Sequence, residues 1–233
     1  MNSDRIELYD DGIGFVECVD HMGSDLTIVN SARVSFGKHK EVLDDKDARL
    51  IKYLVKNRHT STFEHNVMTF RIKVPLFIRS QHMRHRTWSY NEISRRYTEE
   101  NIEFYAPTMF RTQSKSNRQA STEELINPIL NRNSVHGGQT VSYMIKAHNE
   151  SCIHLYNALL EGGICREQAR GVLPQSIYTE YYGTVNLNNL LKFIDLRTHA
   201  GAQWEIQRLA SAMLEIANKK WPIAIKSYQE CRR

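Results

Sequence analysis

The 233-residue sequence lacks the features that mark several large classes of protein. It contains no run of eighteen apolar residues, so we expect no membrane-spanning helix. The first residues, Met1 to Arg5, have neither the basic nor the apolar region of a signal peptide, which predicts a cytoplasmic location. Its four cysteines are scattered and form no Cys-x-x-Cys pair, so neither a zinc site nor a disulfide framework is expected.

Common motifs for nucleotide binding and hydrolysis are also missing. There is no G-x-x-x-x-G-K-[ST] loop, no G-x-G-x-x-G after a predicted strand, no H-E-x-x-H and no G-x-S-x-G. His59, Glu64 and His65 are close in sequence, but their spacing fits no standard zinc pattern, so no metal is predicted. If the protein binds a nucleotide, it must therefore do so mainly with side chains.

The composition fits one soluble globular domain spanning residues 1–233, since 41% of the residues are apolar and 24% are charged. The formal net charge of +5 suits phosphate-bearing partners but identifies none. Its placement is more informative. Between Arg79 and Tyr97 there are five arginines and two histidines against a single carboxylate, Glu92.

Apolar periodicity predicts few strands and many helices in mixed order, which favours a single α+β domain. The predicted strands are 14–22, 67–74 and 177–185; the predicted helices start after Ser24 or Asp25 and cover 44–57, 75–83, 141–160, 166–172, a segment capped by Asn186 or Asn188 that runs to 196, and 203–219. The polar stretch from Arg111 to Thr140 predicts a long surface excursion with one short helix after Ser121. The basic cluster is expected to begin near the end of a helix and run into a loop.

The segment Arg84 to Tyr97 carries most of the chemistry. Arginine forks match phosphate geometry, while Trp88 and Tyr90 offer faces for stacking. Residue types alone leave alternatives open: a solvated basic loop, or a nucleic-acid surface on which arginines contact phosphates and aromatic rings stack on bases.

The order of residues in this segment resembles the signature of the flavin-dependent thymidylate synthases. That signature reads R-H-R-x-x-S-x-N-E-x-S-x-R-Y, and all nine of its fixed residues are present between Arg84 and Tyr97. The resemblance covers most of the chain and is poorest between Arg111 and Thr140. Further blocks that resemble the family are 32–37, 59–65, 169–174, 196–197 and 202–207.

The resemblance implies an enzyme that converts dUMP to dTMP. Methylenetetrahydrofolate would donate the carbon, and FAD reduced by NADPH would supply the hydride. The implied fold is a single domain with a mixed, mainly antiparallel sheet flanked by helices. It is expected to assemble as a homotetramer with active sites shared between subunits, and without nucleic-acid or membrane partners.

The resemblance also assigns site residues. Arg197 would be catalytic, because a fixed cation beside the uracil ring stabilises the negative charge that develops there. FAD would be contacted by His59, Ser61, Arg84, His85, Arg86, Glu92, Asn186, Asn188 and Lys192. The nucleotide would be held by Gln81, Arg84, Glu92, Ser94, Arg95, Arg96, Arg170 and Arg197.

Two positions depart from the family pattern. A flavin-binding stretch that often reads N-x-R-x-x-x-N keeps Asn186, but Asn188 replaces the arginine and Lys192 replaces the second asparagine. Lys192 lies one helical turn after Asn188, so it can return a cation to the same face. A relative that binds flavin but methylates another pyrimidine remains an alternative.

Overall fold

The computed structural model describes residues 4–97, 102–130 and 138–232, which form one α+β unit. Its main sheet is antiparallel, with strands in the order β1–β2–β3–β7–β4. The strands are β1 (Arg5–Glu7), β2 (Phe15–Met22), β3 (Val67–Pro75), β4 (Ser89–Glu92), β5 (Phe110–Gln113), β6 (Ser121–Ile126) and β7 (Tyr178–Asn186). The helices are α1 (Asp25–Arg33), α2 (Asp45–Lys56), α3 (Leu76–His82), α4 (Val141–Glu161), α5 (Arg166–Ala169), α6 (Leu187–Arg197), α7 (Trp204–Lys220) and α8 (Pro222–Cys231).

Strand β3 is the centre of the sheet and confirms the strand predicted at 67–74. Met68, Phe70, Ile72 and Val74 are fully buried, whereas the residues between them are half-buried. The strand pairs with β2 on one side and with β7 on the other. Helices α6, α7 and α8 pack with this sheet around one hydrophobic core.

Helix starts follow the capping residues in the sequence. Asp44 accepts hydrogen bonds from the backbone N–H groups of Lys46 and Asp47, and α2 begins directly after it. Ser24 is the N-cap of α1, and Asn186 is the N-cap of α6. Of the predicted pairs, Ser24 and Asn186 are therefore the capping residues, and Asp25 and Asn188 lie inside their helices.

Two predicted elements are wrong. The basic motif does not run into a loop, since Ser89–Glu92 forms β4 along the edge of β7. The segment after Ser121 is not a helix but β6, which pairs with β5 in a separate hairpin. Both short strands are polar, so their sequences show no apolar alternation, and their pairing partners decide their conformation.

Helix α4 follows its predicted bounds but is covered on one side only. Asn149 and Tyr156 are its buried residues, and this side faces α5 and the short 3-10 turn Arg170–Val172. Leu155, an apolar residue of this helix, is 50% exposed. Among the described helices none is both long and apolar enough to cross a bilayer.

Candidate active site

The arginine-rich motif is fixed to the sheet by its aromatic side chains. Trp88 is buried and stacks on Phe70 with ring centroids 6.1 Å apart. Its ring lies over Gly183 of β7, where an added Cβ would be 3.2 Å from Trp88 Cε3. Tyr90 donates its hydroxyl to the backbone oxygens of His82 and His85, at 3.0 and 3.1 Å, and so holds the turn between α3 and β4.

His82, the last residue of α3, is the buried centre of this arrangement. It is fully inaccessible to solvent, and its Nδ1 lies 2.8 Å from the Tyr181 hydroxyl. The rings of Trp88 and Phe193 lie 4.4 and 4.6 Å from its own. Burial lowers the pKa of His82 well below its ordinary value, and the nearby His85 and Arg197 act in the same direction. His82 is therefore a neutral structural residue.

Arg197 reaches the motif from the end of α6. Its Nε donates to His85 Nε2 at 3.0 Å, and its Nη2 donates to the backbone oxygen of Gln81 at 3.0 Å. Burial, followed by the charge of Arg197, lowers the pKa of His85 to about 4. Because His85 accepts at Nε2 while it is neutral, its proton lies on Nδ1. The structure thus brings together three predicted site residues, Gln81, His85 and Arg197.

A second group of predicted residues lines one cleft. This cleft, of about 590 Å³, is bordered by Glu92, Ser94, Arg95 and Arg170. Arg170 is exposed and makes no ion pair among the described residues. Burial lowers the pKa of the Arg95 guanidinium. The cleft therefore offers guanidinium groups suited to an anion, most directly Arg170.

Glu92 has partners that the sequence did not assign to the site. Arg79 forms an ion pair with Glu92 Oε2, and the Thr179 hydroxyl donates to Glu92 Oε1 at 2.7 Å. Both partners also line the same cleft. The sequence showed Arg79 within the basic cluster, but its pairing with Glu92 depends on how α3 and β4 pack, and no local pattern reveals that.

Two further exposed arginines lie in the turn after α3, and a third follows β4. Arg84 and Arg86 are exposed and have no ion pair or hydrogen-bond partner among the described residues. Arg96 is also exposed, and its guanidinium lies 5.4 Å from the centre of the Tyr97 ring. Exposed guanidinium groups without a carboxylate partner among the described residues suit an anionic ligand.

Asn186, Asn188 and Lys192 lie at the N-cap and in the first turns of α6. Asn188 and Lys192 line a cleft of about 680 Å³ together with Thr60 and Arg58. Asn188 is buried and donates to Glu64 Oε1 at 2.7 Å, while Lys192 Nζ lies 3.4 Å from Asn189 Oδ1. Asn186 uses its side-chain oxygen to cap α6. In the single chain this cleft does not share lining residues with the one that contains Arg170.

His59 and Ser61 lie beside the cleft that contains Lys192. Both are exposed and belong to the segment around the 3-10 turn Thr60–Phe63. The His59 ring packs edge-on against Tyr53, at a centroid distance of 5.7 Å. Neither side chain forms a hydrogen bond within the described part of the chain, so both can contact a ligand.

Comparisons with known proteins agree with this geometry. The family model described as "Thymidylate synthase complementing protein" matches residues 17–223. A flavin-dependent thymidylate synthase of Thermus thermophilus is 43% identical over 217 residues, which cover 93% of this chain and 76% of the relative. One from Thermotoga neapolitana is 42% identical over 216 residues, covering 92% of this chain and 90% of the relative.

A solved structure gives the same result. The UMP/dUMP methylase PolB from Streptomyces cacaoi, bound with 5-Br dUMP, is 35% identical, with a TM-score of 0.79 and 97% of each chain covered. Fold and site together define an enzyme of the methyltransferase class. More particularly, the chain belongs to the flavin-dependent thymidylate synthase family, which confirms the resemblance found between Arg84 and Tyr97.

Proposed function

We propose that the protein catalyses the reductive methylation of dUMP to dTMP, with methylenetetrahydrofolate as carbon donor and FAD reduced by NADPH as hydride source. The observation that carries the proposal is the position of Arg197. Its guanidinium bonds directly to His85 and to the backbone of Gln81, and therefore lies against the signature motif.

Arg197 is the catalytic residue in this proposal. Two of its N–H groups are held by the protein, which fixes the cation before substrate binds. A fixed cation beside the pyrimidine stabilises negative charge on the ring and raises the nucleophilicity of the carbon that is methylated. His85 is neutral, so it holds Arg197 without placing a second positive charge beside it.

The nucleotide is held by the cleft that contains Arg170. Arg95 and Arg170, which line this cleft, bind its phosphate, and Ser94 adds a hydroxyl. The adjacent, exposed Arg96 contributes a further guanidinium. Gln81 contacts the base, and Arg84 and Glu92 contribute to both ligands. Glu92 is already positioned by Arg79 and Thr179, so its carboxylate needs no rearrangement when a ligand binds.

The residues fit a phosphate-bearing flavin. The side chains of Arg84 and Arg86 have no partner in the part of the chain that the structure describes, and neutral His85 lies between them in the sequence. His59, Ser61, Asn186, Asn188 and Lys192 complete the contacts from the cleft at the start of α6. The Asn188 amide is neutral and already donates to Glu64, so the cation there is Lys192. The flavin, when bound, supplies the redox chemistry.

The proposed active site is shared between subunits of a homotetramer. The two clefts are separate in one chain, and Phe36, in a block that resembles the family, is 80% exposed. A large exposed apolar side chain of this kind favours contact with another copy. The cytoplasmic location and the absence of nucleic-acid partners stay predictions from the sequence.

Two measurements test this function. The purified protein is expected to be yellow and to release FAD on denaturation. With NADPH and methylenetetrahydrofolate it should release tritium from carbon five of labelled dUMP. A protein that is colourless and cannot be reconstituted with FAD would contradict the proposal.

A UMP-accepting methylase is the second candidate. The similar Streptomyces cacaoi methylase was solved with 5-Br UMP as well as with 5-Br dUMP, each at a TM-score of 0.79. Tritium release from labelled UMP and dUMP, measured side by side, separates the candidates. Equal kcat/KM for the two nucleotides would favour the second.

A further inference from the structure

A row of polar side chains lies behind Gln81 and ends at a buried carboxylate. Gln81 Nε2 donates to Gln203 Oε1 at 2.5 Å, and Gln203 Nε2 donates to Glu205 Oε2 at 2.9 Å. The other oxygen, Glu205 Oε1, accepts from the Tyr105 hydroxyl at 3.0 Å and from Arg111 Nη2 at 2.5 Å. Glu205 is only 4% exposed, so its oxygens depend on these donors.

The carboxylate determines which way both amides face. A carboxylate only accepts hydrogen bonds, so Gln203 must turn its NH₂ group toward Glu205. The side-chain oxygen of Gln203 therefore faces Gln81. Because this oxygen only accepts, Gln81 must turn its own NH₂ group toward Gln203. As a result, Gln81 Oε1 has no hydrogen-bond partner among the described residues, and it is not sealed from solvent.

We propose that Glu205, acting through Gln203, is a positioning residue that fixes Gln81 as a hydrogen-bond acceptor for the imide N–H of the substrate base. This inference rests on the proposed function, because it takes the uracil ring to lie against Gln81 and Arg197. It makes the Gln81–Gln203–Glu205 row a specificity device for uracil nucleotides.

The chemistry of the base supports this assignment. Arg197 donates to the backbone oxygen of Gln81, so a fixed cationic donor is held at the same residue whose side-chain oxygen is the acceptor. The imide edge of uracil presents an N–H donor next to carbonyl acceptors and matches that pair. Cytosine carries an unprotonated nitrogen in place of the imide N–H. With the phosphate held by the arginines, that nitrogen would face the Gln81 oxygen, and two acceptors would be left unpaired.

The substitution Glu205→Gln reverses the row. Arg111 can only donate, so the new amide must turn its oxygen toward Arg111 and its NH₂ group toward Gln203. Gln203 and then Gln81 must turn over, which presents Gln81 Nε2 to the ligand. We expect the preference of the FAD-loaded enzyme for dUMP over dCMP, as the ratio of Kd values, to fall at least about tenfold.

A second variant and a control accompany this measurement. Gln203→Leu removes the amide that links the ends of the row, so Gln81 becomes free to turn and the preference should fall about threefold. Tyr105→Phe removes one donor to Glu205 but keeps the carboxylate, so the preference should not change. All three proteins are compared with the unmodified enzyme by equilibrium binding of both nucleotides.

General damage to the fold weakens the binding of dUMP and dCMP alike and leaves the ratio of their Kd values unchanged. An unchanged ratio in both Glu205→Gln and Gln203→Leu would therefore overturn the inference, as would a fall in Tyr105→Phe equal to that in Glu205→Gln. If the unmodified enzyme carries FAD but binds no dUMP, the proposed function itself is wrong. If the unmodified enzyme binds dUMP normally and the variants keep the same ratio of Kd values, only the role of Glu205 is wrong.

Discussion

At the scale of single residues, the site depends on how Arg197 distributes its donors. One N–H group holds neutral His85 and another holds the backbone of Gln81, so the side chain has a defined position without any carboxylate partner among the described residues. Burial lowers the pKa of this guanidinium, which indicates a cation kept partly away from water. A cation in such a place acts strongly on a neighbouring charge.

Replacing Arg197 with lysine should therefore stop the reaction without removing the flavin. Lysine keeps the charge but is not a planar fork, so it cannot hold His85 and Gln81 together. We expect kcat to fall at least about 100-fold, with FAD content unchanged by absorbance. Arg208→Lys, an exposed arginine of α7, is the matched control. Normal turnover in the Arg197 variant would remove its assigned role.

His85 predicts a pH dependence of stability. Its pKa falls from 6.5 in the unfolded chain to about 4 in the folded protein, so below pH 6.5 the unfolded state binds a proton that the folded state excludes. The free energy of unfolding should therefore decrease as the pH falls from about 6.5 toward 4. Buried His82 acts in the same direction.

Urea denaturation at a series of pH values checks this effect. His85→Gln should flatten the decrease between pH 6.5 and 4, the window defined by the two pKa values of His85. The exposed His21 provides the control, and His21→Gln should leave the curve unchanged. Carboxylates such as Asp44, with a pKa lowered from 3.8 to about 2, act only at lower pH. A His85 variant with the same curve as the unmodified protein would contradict the prediction.

The sequence predicted those site residues that belong to a family motif. It did not predict which residues form pairs when distant elements pack together. Gln81, His85 and Arg197 were predicted and lie together. The ion pair between Arg79 and Glu92 was not predicted, because it joins a helix to a strand that the sequence did not reveal. The hydrogen bond from the Asn188 amide to Glu64 was not predicted for the same reason, since Glu64 precedes Asn188 by more than a hundred residues.

At the scale of elements, β4 shows why the local pattern failed. Ser89–Glu92 is short and polar, and only its pairing with β7 makes it a strand. The absence of a side chain at Gly183 leaves room for the Trp88 ring beside this pairing. By contrast, the bounds of β3, α2 and α7 were predicted closely. Their apolar residues recur with the period of a strand or a helix, and the same residues form the buried face in the structure.

Asn186 connects the capping of α6 with cofactor binding. Its oxygen accepts the Asn189 N–H at 2.9 Å and begins the helix that ends at Arg197. Asn186→Ala should lower the free energy of unfolding by about 1 kcal/mol, whereas Asn186→Asp keeps the cap and should retain it. FAD affinity should fall in both variants if the amide NH₂ contacts the flavin. Full affinity in the aspartate variant would remove Asn186 from the proposed flavin contacts.

At the scale of the whole molecule, one chain leaves apolar surface uncovered. Phe36 is 80% exposed and Leu155 on α4 is 50% exposed. The sequence predicted the bounds of α4, but its buried side is set by Asn149 and Tyr156. A hydrophobic face that a single chain does not cover is consistent with the predicted homotetramer.

Light scattering tests the assembly. We expect a mass about four times the 27.2 kDa of one chain. Phe36→Asp should reduce that mass, because a carboxylate would replace an apolar contact. Lys38→Asp introduces the same group two residues away and should leave the mass unchanged. A single-chain mass in the unmodified protein would contradict the shared-site proposal.

The order of strands in the sheet has a consequence for how the protein is made. Among the described strands, Ser89–Glu92 pairs with none that precedes it and with Tyr181–Thr184, about ninety residues later. A growing chain therefore presents its arginines long before the strand that shapes them exists. Because non-local pairing is slow and leaves edges open, the interval exposes an unpaired, basic segment to the polyanions of the cell. Translation that stops before Tyr178 leaves a polypeptide with the full signature and no active site.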